Sequence, residues 1–274
     1  MKLRRAQPWL GTLVEIEARH RSINALRSAL DAAFAAIAQV HRLMSRQLPD
    51  SDVTRINAAA AGEQVPVHPW TAQTICRAQR LWRLSSGSFD IVEPPATTEQ
   101  SHHHAQCRGE RFSVYRSAAR GPTWICKMQP CSISLDGIAK GFAVDQAIHR
   151  LRRHGADTGL VNAGGDLRCF GPEAYRVLVR RPDPSGSAPA WQLHVRDCAL
   201  ATSGRYFGNT LWNVAGKSTH ESWTVVAPTA TAADALTKVA FCQAGRSAQL
   251  LRRLKAQAWH VTADAGSRLI QDVP

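Results

Sequence analysis

The most regular pattern of apolar and polar residues lies in residues 23–44, where apolar side chains recur every three or four positions. This spacing predicts a long amphipathic helix. Residues 11–18 instead alternate between apolar and polar side chains and predict a half-buried strand. The stripe of the helix consists of Ile23, Leu26, Leu30, Phe34, Ile37, Val40 and Met44.

Shorter patterns predict the remaining elements. Pro69 suits the first turn of a helix that we expect to end near Leu84. Another helix is predicted after Gly137, and two more at 232–241 and near 248–254. Strands are predicted at 112–115, 123–128, 131–135, 166–170, 175–180, 191–196, 223–227 and 258–262.

The order of these elements predicts an α+β fold, with mixed or antiparallel sheets and packed helices. Helices and strands interleave without a regular βαβ repeat, and many short strands adjoin hairpin-length loops. The sequence contains no internal repeat and no clear linker. We therefore predict a single domain over residues 1–274, which is long enough to bury a substantial core.

Composition is typical of a folded protein, with 44% hydrophobic and 20% charged residues. Since no run of about 18 apolar residues is present, we expect no membrane span. The N-terminal segment has no apolar core like that of a signal peptide, and the seven cysteines are scattered, which favours reduced thiols. We therefore predict a cytoplasmic protein.

The net charge of +13 favours anionic partners, including nucleic acids, anionic surfaces and phosphate-rich ligands. The basic residues are dispersed along the chain, and aromatic and basic side chains do not alternate as they do on RNA-binding surfaces. We therefore expect no nucleic-acid partner. The sequence leaves the oligomeric state open.

Candidate functional chemistry is concentrated in residues 134–166. Two glycine-bearing turns, Asp136-Gly137 and Gly164-Gly165, flank a helical run and a strand-like segment. Lys140 follows the first turn, where glycine lets the backbone approach a ligand and the start of a helix favours negative charge. This arrangement favours a phosphate-bearing ligand. A structural glycine with a solvent-facing lysine explains the same pattern, and the dinucleotide-binding and P-loop fingerprints are both absent from the sequence.

The segments LDGIAKGFAVDQAI and GLVNAGGDLRCFG resemble the central motif of the ApbE family, the FAD:protein FMN transferases. Five further segments resemble family motifs in the same order along the chain. With six motifs in order, the chain is identified as a member of this family. The further motifs are Leu10-Gly11-Thr12, Met44-Ser45 with Pro49–Asp52 and Arg55–Asn57, Gly87–Asp90, Ala201–Gly204 and Ala233–Leu236.

The resemblance implies an ApbE-like architecture related to the T-fold. It also implies an enzyme that uses Mg²⁺ to transfer FMN from FAD to a threonine or serine hydroxyl of an acceptor flavoprotein, with release of AMP. The implied flavin and phosphate contacts are Leu10, Gln47, Ser88, Phe89, Asp90, Ser134, Lys140 and Lys238. The implied magnesium ligands are Gly137, Asp234 and Thr237, and the candidate general bases are Asp136 and His220.

The chain departs from the family pattern at positions that bear on catalysis. Ser134 stands where the family has an aspartate, and Gln47 stands where it has a tyrosine, which removes aromatic area from the flavin contact. The family's H-I-x-D-P-x-T-G loop has no clear counterpart beyond His220. Lys238 replaces a magnesium-binding threonine, one helical turn after Asp234.

Two positions leave alternatives open. Asp90 either contacts the flavin or caps the turn that follows it. Lys238 either forms an i,i+4 ion pair with Asp234 or points inward, where its ammonium would replace part of the metal's charge and bind pyrophosphate directly. The departures are also compatible with a relative that lacks transferase activity, either an FAD-binding protein or an FAD pyrophosphatase.

Overall fold

The computed structural model describes residues 1–93, 111–116, 123–182, 189–204, 221–243, 247–262 and 266–269. His220, a predicted catalytic residue, lies outside the described residues. The chain divides into two compact units. The large unit comprises Met1–Ile37 with Lys140–Pro274, and the small unit comprises Ala38–Ala139. The single domain predicted over residues 1–274 stays a prediction.

Thirteen strands and six helices are formed by the described residues. The strands are β1 (Lys2–Trp9), β2 (Thr12–Arg19), β3 (Gln64–Val67), β4 (Phe112–Arg116), β5 (Thr123–Lys127), β6 (Thr158–Ala163), β7 (Asp166–Phe170), β8 (Tyr175–Arg180), β9 (Pro189–Val195), β10 (Ala199–Gly204), β11 (Glu221–Ala227), β12 (Gln257–Thr262) and β13 (Gly266–Leu269). The helices are α1 (Ile23–Met44), α2 (Asp52–Ala58), α3 (Pro69–Leu84), α4 (Ala139–Arg153), α5 (Ala230–Cys242) and α6 (Ala248–Arg253).

An eight-stranded sheet forms the frame of the large unit, in the order β1-β2-β6-β7-β10-β11-β12-β13. The β8-β9 hairpin forms a separate two-stranded sheet in this unit, and β3, β5 and β4 form a three-stranded sheet in the small unit. Neighbouring named strands pair antiparallel in all three sheets of the described residues. The predicted α+β fold is confirmed, and its sheets are antiparallel.

In β2 and α1, the apolar positions of the sequence pattern are the positions buried in the structure. In β2, Val14, Ile16 and Ala18 have no exposed surface, while the residues between them are more exposed. This is the alternation of a strand with one face on the core. Helix α1 buries most of its predicted stripe, namely Leu26, Leu30, Phe34, Ile37, Val40 and Met44.

Two glycine-bearing turns lie side by side where the strands of the eight-stranded sheet end. We call this end of the strands the turn edge. Leu10-Gly11 joins β1 to β2 with φ of 56° and 71°, and Gly164-Gly165 joins β6 to β7 with φ of 64° and 102°. Since Val14 pairs with Ala163, the two turns are neighbours. A Cβ on Gly164 would lie 2.4 Å from the Thr12 hydroxyl oxygen, so this position requires glycine.

The turn edge also collects parts of three more strands. Asp166 is the first residue of β7. Strand β10 runs antiparallel to β7, with Leu200 opposite Leu167, so β10 ends at the edge where β7 begins. Strand β11 starts at the same edge, because Gly204 at the end of β10 pairs with Ser222.

Helices α4 and α5 cross backbone to backbone in the large unit. A Cβ on Gly141 would lie 2.2 Å from the carbonyl oxygen of Ala230 and 2.8 Å from the Cβ of Asp234. A contact this close leaves space for glycine alone. The start of α5 is therefore held at a fixed distance from α4.

Asp145 of α4 fixes the same crossing through hydrogen bonds. Its Oδ1 accepts the N–H of Ala230 at 2.9 Å and an N–H of Arg168 at 2.6 Å. Its Oδ2 accepts the N–H of Thr231 at 2.9 Å and the Thr231 hydroxyl at 2.5 Å. The carboxylate thus satisfies amides at the start of α5, where negative charge is favoured.

The helices of the small unit begin at side-chain caps. Ser51 caps α2 and His68 caps α3. Asp52, which is buried, accepts the N–H of His68 at 2.9 Å and the hydroxyl of Thr71 at 2.5 Å. These bonds tie the start of α2 to the start of α3.

The long helices α1 and α3 are confirmed with the predicted bounds. The strand predicted at 131–135 is wrong: only Ile133 in this segment forms a bridge, to Val92. The side chain of Asn57 bonds both the N–H and the C=O of Ile133, so it occupies groups that a neighbouring strand would use. None of the described helices is long and apolar enough to cross a membrane.

We expect Asp145→Asn to lower the free energy of unfolding by about 3 kcal/mol, because an amide leaves Arg168 without its buried counter-charge and turns a donor toward the start of α5. Urea unfolding followed by circular dichroism measures the change. Asp31→Asn is the matched control, since Asp31 is an exposed partner of Arg5 and its loss should cost at most about 0.5 kcal/mol. Equal losses in the two variants would contradict the role of Asp145.

Candidate functional site

Asp234 lies in α5 at the helix crossing and has no exposed surface. Its Oδ2 accepts the N–H of Gly141 at 3.0 Å, and its Oδ1 accepts the ammonium of Lys238 at 2.5 Å. A carboxylate removed from water needs such partners, because burial disfavours its charged form. The Asp234 carboxylate therefore has one donor from α4, the Gly141 amide, and one from its own helix α5, the Lys238 ammonium.

Lys238 points inward and is only 6% exposed. Besides the carboxylate of Asp234, its ammonium donates to the backbone carbonyl of Asp234 at 3.1 Å. The i,i+4 ion pair that was one alternative is thus present, and it is buried instead of lying on the helix surface.

Lys140, in the first turn of α4, forms an ion pair with Asp166 at 2.8 Å. The Asp166 side chain is buried, whereas about a third of the Lys140 side chain is exposed. Burial raises the pKa of Asp166, and the nearby Asp234 carboxylate raises it further, while the ammonium groups of Lys140 and Lys238 lower it. These four side chains form one group of alternating charge, which we call the lysine–aspartate cluster.

The hydroxyl of Thr237 is engaged beside this cluster. It donates to the carbonyl of Asp234 at 2.6 Å and lies 2.8 Å from the hydroxyl of Ser203. Because threonine has one O–H, Ser203 is the donor in the second bond. Thr237 has no exposed surface, so this pair ties α5 to the end of β10.

Leu10, a predicted flavin contact, lies at the turn edge, as Asp166 of the cluster does. Its φ of 56° is unusual for a residue with a side chain. The sheet therefore brings an apolar residue and the charged cluster to one edge of the large unit. Contact of Leu10 with a flavin stays a prediction.

In the small unit, Ser134 lies two residues before the Asp136-Gly137 turn. Its N–H donates to the carbonyl of Ile91 at 2.8 Å, and its hydroxyl oxygen accepts the N–H of Asp136 at 3.2 Å. Asp136 is exposed and Gly137 is half-buried. The side chain of Asp136 is accessible to solvent, as a general base requires, but its role stays a prediction.

Three further predicted flavin contacts of the small unit differ in exposure. Gln47 is exposed, whereas Phe89 is 1% exposed and belongs to the core. Ser88 is half-buried and its hydroxyl donates to the carbonyl of Ser85 at 2.8 Å. Their contacts with a flavin stay predictions.

Asp90 caps the chain that follows it, which was one of its two alternatives. Its Oδ1 accepts the N–H of Val92 at 2.9 Å, and its Oδ2 is paired with Arg111. The Arg111 guanidinium also lies 5.0 Å from the ring centroid of Trp82. The carboxylate of Asp90 is therefore engaged with the protein itself.

Asp166 was not among the predicted site residues, although the structure places it in the cluster. Its signal in the sequence is a carboxylate directly after Gly164-Gly165, at the start of a strand. Only the antiparallel pairing of β6 and β7 brings it to Lys140, which lies far away in the sequence.

A histidine–carboxylate pair at the start of β11 was also not predicted. His260 Nε2 lies 2.9 Å from Glu221 Oε2, and the ring of His260 stacks on Trp223 with centroids 4.5 Å apart. Glu221 is buried and directly follows His220 in the sequence. Pairing of β11 with β12 creates this contact, so no local motif reveals it.

The residues expected to hold magnesium are divided between the two units. Asp234 and Thr237 lie in the large unit and Gly137 in the small unit. Both carboxylate oxygens of Asp234 already have donors, one of them the ammonium of Lys238. Within the described residues, no group of three or more His, Cys, Asp and Glu side chains is placed to hold a metal ion.

The sequence model of the ApbE family matches residues 10–260 of the chain. A protein named FAD:protein FMN transferase from Treponema pallidum is 25% identical over 86% of this chain and 77% of its own length. A protein of the same name from Vibrio cholerae is 23% identical over 61% of this chain and 55% of its own length. The resemblance inferred from the motifs is confirmed.

Solved structures show the same fold. The apo flavinyl transferase ApbE of Pseudomonas stutzeri superposes with a TM-score of 0.79 at 22% identity, covering 98% of this chain and 94% of that one. The ApbE protein of Thermotoga maritima gives a TM-score of 0.79 at 24% identity, covering 98% and 97%. The ApbE-like architecture predicted from the sequence is confirmed.

We expect Gly141→Ala to destabilise the protein by about 2 kcal/mol, because the added methyl group would overlap the Ala230 carbonyl. In an open helix this substitution is stabilising, by about 1 kcal/mol, so the sign of the change is diagnostic. Urea unfolding gives the measurement, and His149→Ala, at an exposed position of α4, is the control with a change within about 0.5 kcal/mol. A more stable Gly141→Ala variant would show that the crossing is looser than described.

The raised pKa of Asp166 predicts a pH-dependent stability difference between the wild type and Asp166→Asn. The folded wild type keeps the Asp166 proton to higher pH than the unfolded chain does. Its stability relative to the variant should therefore fall as pH rises from the usual aspartate range through the raised pKa, and then level off. Unfolding at a series of pH values measures this, and a difference that grows with pH over that range would contradict it.

Proposed function

Because this chain belongs to the ApbE family, we propose that it transfers FMN from FAD to a threonine or serine hydroxyl of an acceptor flavoprotein and releases AMP. In this reaction the hydroxyl oxygen attacks the FMN-side phosphorus of FAD. A new P–O bond forms, the bond to the bridging oxygen breaks, AMP leaves, and the hydroxyl proton passes to a base. Such transfers depend on positioning and on neutralisation of charge.

The lysine–aspartate cluster is the observation that carries this proposal. Lys140 lies at the start of α4, where amide groups and the helix dipole favour a phosphate, and Lys238 brings a second ammonium from α5. Asp166 and Asp234 hold these ammonium groups at 2.8 and 2.5 Å. Their positions are therefore set before FAD arrives, as electrostatic catalysis requires.

The remaining assignments follow the resemblance. We assign Leu10, Gln47, Ser88, Phe89, Asp90 and Ser134 to the flavin part of FAD, and Asp136 and His220 to the removal of the hydroxyl proton. The exposure of Asp136 supports its part, since a general base must reach the acceptor hydroxyl.

Magnesium is part of the reaction that the resemblance implies, and its ligands would be Gly137, Asp234 and Thr237. As described, the donors in the large unit do not fit a resident dication. A magnesium ion at its usual distance from Asp234 Oδ1 would lie within about 4.6 Å of the Lys238 ammonium, and the two cations would repel by several kcal/mol, about 7 at an effective dielectric of 20. We therefore assign no step to a metal.

We place the reaction in the cytoplasm, with a protein acceptor. None of the six cysteines in the described part of the chain forms a disulfide, which is the state expected in a reducing compartment.

The positions at which the chain departs from the family pattern favour a second function. Lys238 and the missing family loop around His220 are compatible with a protein that binds FAD, or splits it to FMN and AMP, without transferring FMN. This alternative differs from the transferase in its products.

We expect the purified chain, incubated with FAD, Mg²⁺ and a flavin-acceptor domain, to release AMP in proportion to fluorescent, covalently flavinylated acceptor. Chromatography of the nucleotides and in-gel fluorescence of the acceptor measure the two products. The acceptor with its threonine or serine replaced by alanine is the control. AMP with free FMN would identify a pyrophosphatase, and intact bound FAD would identify a binding protein.

Replacing Lys140 by glutamine should raise the Kd for FAD about tenfold or more, because a charge-assisted hydrogen bond to phosphate is lost. Titration of flavin fluorescence measures the Kd. Lys2→Gln is the matched control, because Lys2 is an exposed lysine of the same unit, paired with Glu17. An unchanged Kd for Lys140→Gln would remove Lys140 from the phosphate site.

A further inference from the structure

We propose that the Lys238 ammonium permanently occupies the place of a divalent cation in this chain and binds the FAD pyrophosphate directly. Binding of FAD then needs no metal ion held by the protein. This inference rests on the proposed function, because it takes FAD as the ligand.

The position of Lys238 is the first argument. Its ammonium is buried with the side chain, 2.5 Å from Asp234 Oδ1 and 3.1 Å from the Asp234 carbonyl. An ammonium has three N–H donors, and these two bonds use two of them. Within the described residues, two acceptors are present for the three donors of Lys238, and a phosphate oxygen would supply a third.

The balance of charge is the second argument. Two carboxyl groups, Asp166 and Asp234, face two ammonium groups, Lys140 and Lys238, so the cluster has no net negative charge. The two ion pairs are joined through the main chain, because the N–H of Gly141, the residue after Lys140, donates to Asp234 at 3.0 Å. A cluster without net negative charge attracts a dication weakly, whereas ammonium groups form hydrogen bonds to pyrophosphate.

A purely structural ion pair is the competing explanation. A buried lysine–aspartate pair gains little stability, because both groups lose hydration, and an apolar pair of similar size serves a core as well or better. Asp234 instead bonds to Thr237 and to the N–H of Gly141, the residue after Lys140, where the resemblance puts the phosphate and metal sites. This placement favours a role in ligand binding.

The experiment measures the FAD Kd of the full chain in Mg²⁺ and in EDTA, by titration of flavin fluorescence. For the wild type we expect the two Kd values to agree within about twofold. For Lys238→Thr we expect the Kd in EDTA to rise about tenfold or more and to return toward the wild-type value in Mg²⁺, because threonine frees the Asp234 carboxylate for a metal and adds a hydroxyl oxygen as a ligand.

Manganese binding gives a readout that does not depend on catalysis. Titration of Mn²⁺ with detection by electron paramagnetic resonance should show a new site in Lys238→Thr that the wild type lacks. Lys238→Ala should lose FAD affinity without a full rescue by Mg²⁺, since alanine supplies no oxygen. Lys2→Thr is the matched control at an exposed lysine, and unfolding curves of each variant show that it is folded.

Either of two results would overturn the inference. The first is a wild-type FAD Kd that rises about tenfold or more in EDTA, or stoichiometric Mn²⁺ binding by the wild type. The second is a folded Lys238→Ala variant with an unchanged Kd, which would make the ion pair structural. Both results come from binding measurements and not from activity. A chain that binds FAD without transferring FMN would therefore contradict the proposed function, and this inference would still be tested.

Discussion

Burial of the Asp234 carboxylate is the constraint on which the described site depends. A charge without access to water must be met by donors, and the chain meets it with the Gly141 amide and the Lys238 ammonium. The first donor is available only because α4 and α5 touch backbone to backbone, and Asp145 fixes that crossing from the opposite direction. Packing and electrostatics therefore depend on each other, because separating the helices would expose the Asp234 carboxylate or remove one of its hydrogen-bond donors.

The sheet brings the rest of the chemistry to this crossing. Antiparallel pairing places the turns Leu10-Gly11 and Gly164-Gly165 side by side and carries Asp166 to Lys140. Ser203, near the end of β10, reaches Thr237 on α5. Residues distant in sequence therefore meet because strand ends alternate between the two edges of an antiparallel sheet, so that every second connection returns to the turn edge.

Much of this could be predicted from the sequence, and the rest could not for physical reasons. Family, transferase class and fold followed from six ordered motifs, and α1 and α3 followed from a strong helical period and from Pro69. Strands β3, β10 and β13 were missed, and β3 shows why: it has only four residues, and pairing with β5 defines it. The direction in which Lys238 points was also undetermined, because an i,i+4 pair satisfies the same spacing on a helix surface and in a core.

The backbone contact at Gly141 has a consequence for the response of the enzyme to heat. The Asp234 carboxylate is placed by the main chains of two crossed helices, whereas the ammonium groups around it are carried by the long side chains of Lys140 and Lys238. The position of this carboxylate should persist until those helices part, and α5 also packs against β10 and β11. On heating, the carboxylate is then expected to stay in place until the large unit unfolds cooperatively, while the lysine side chains around it become mobile earlier.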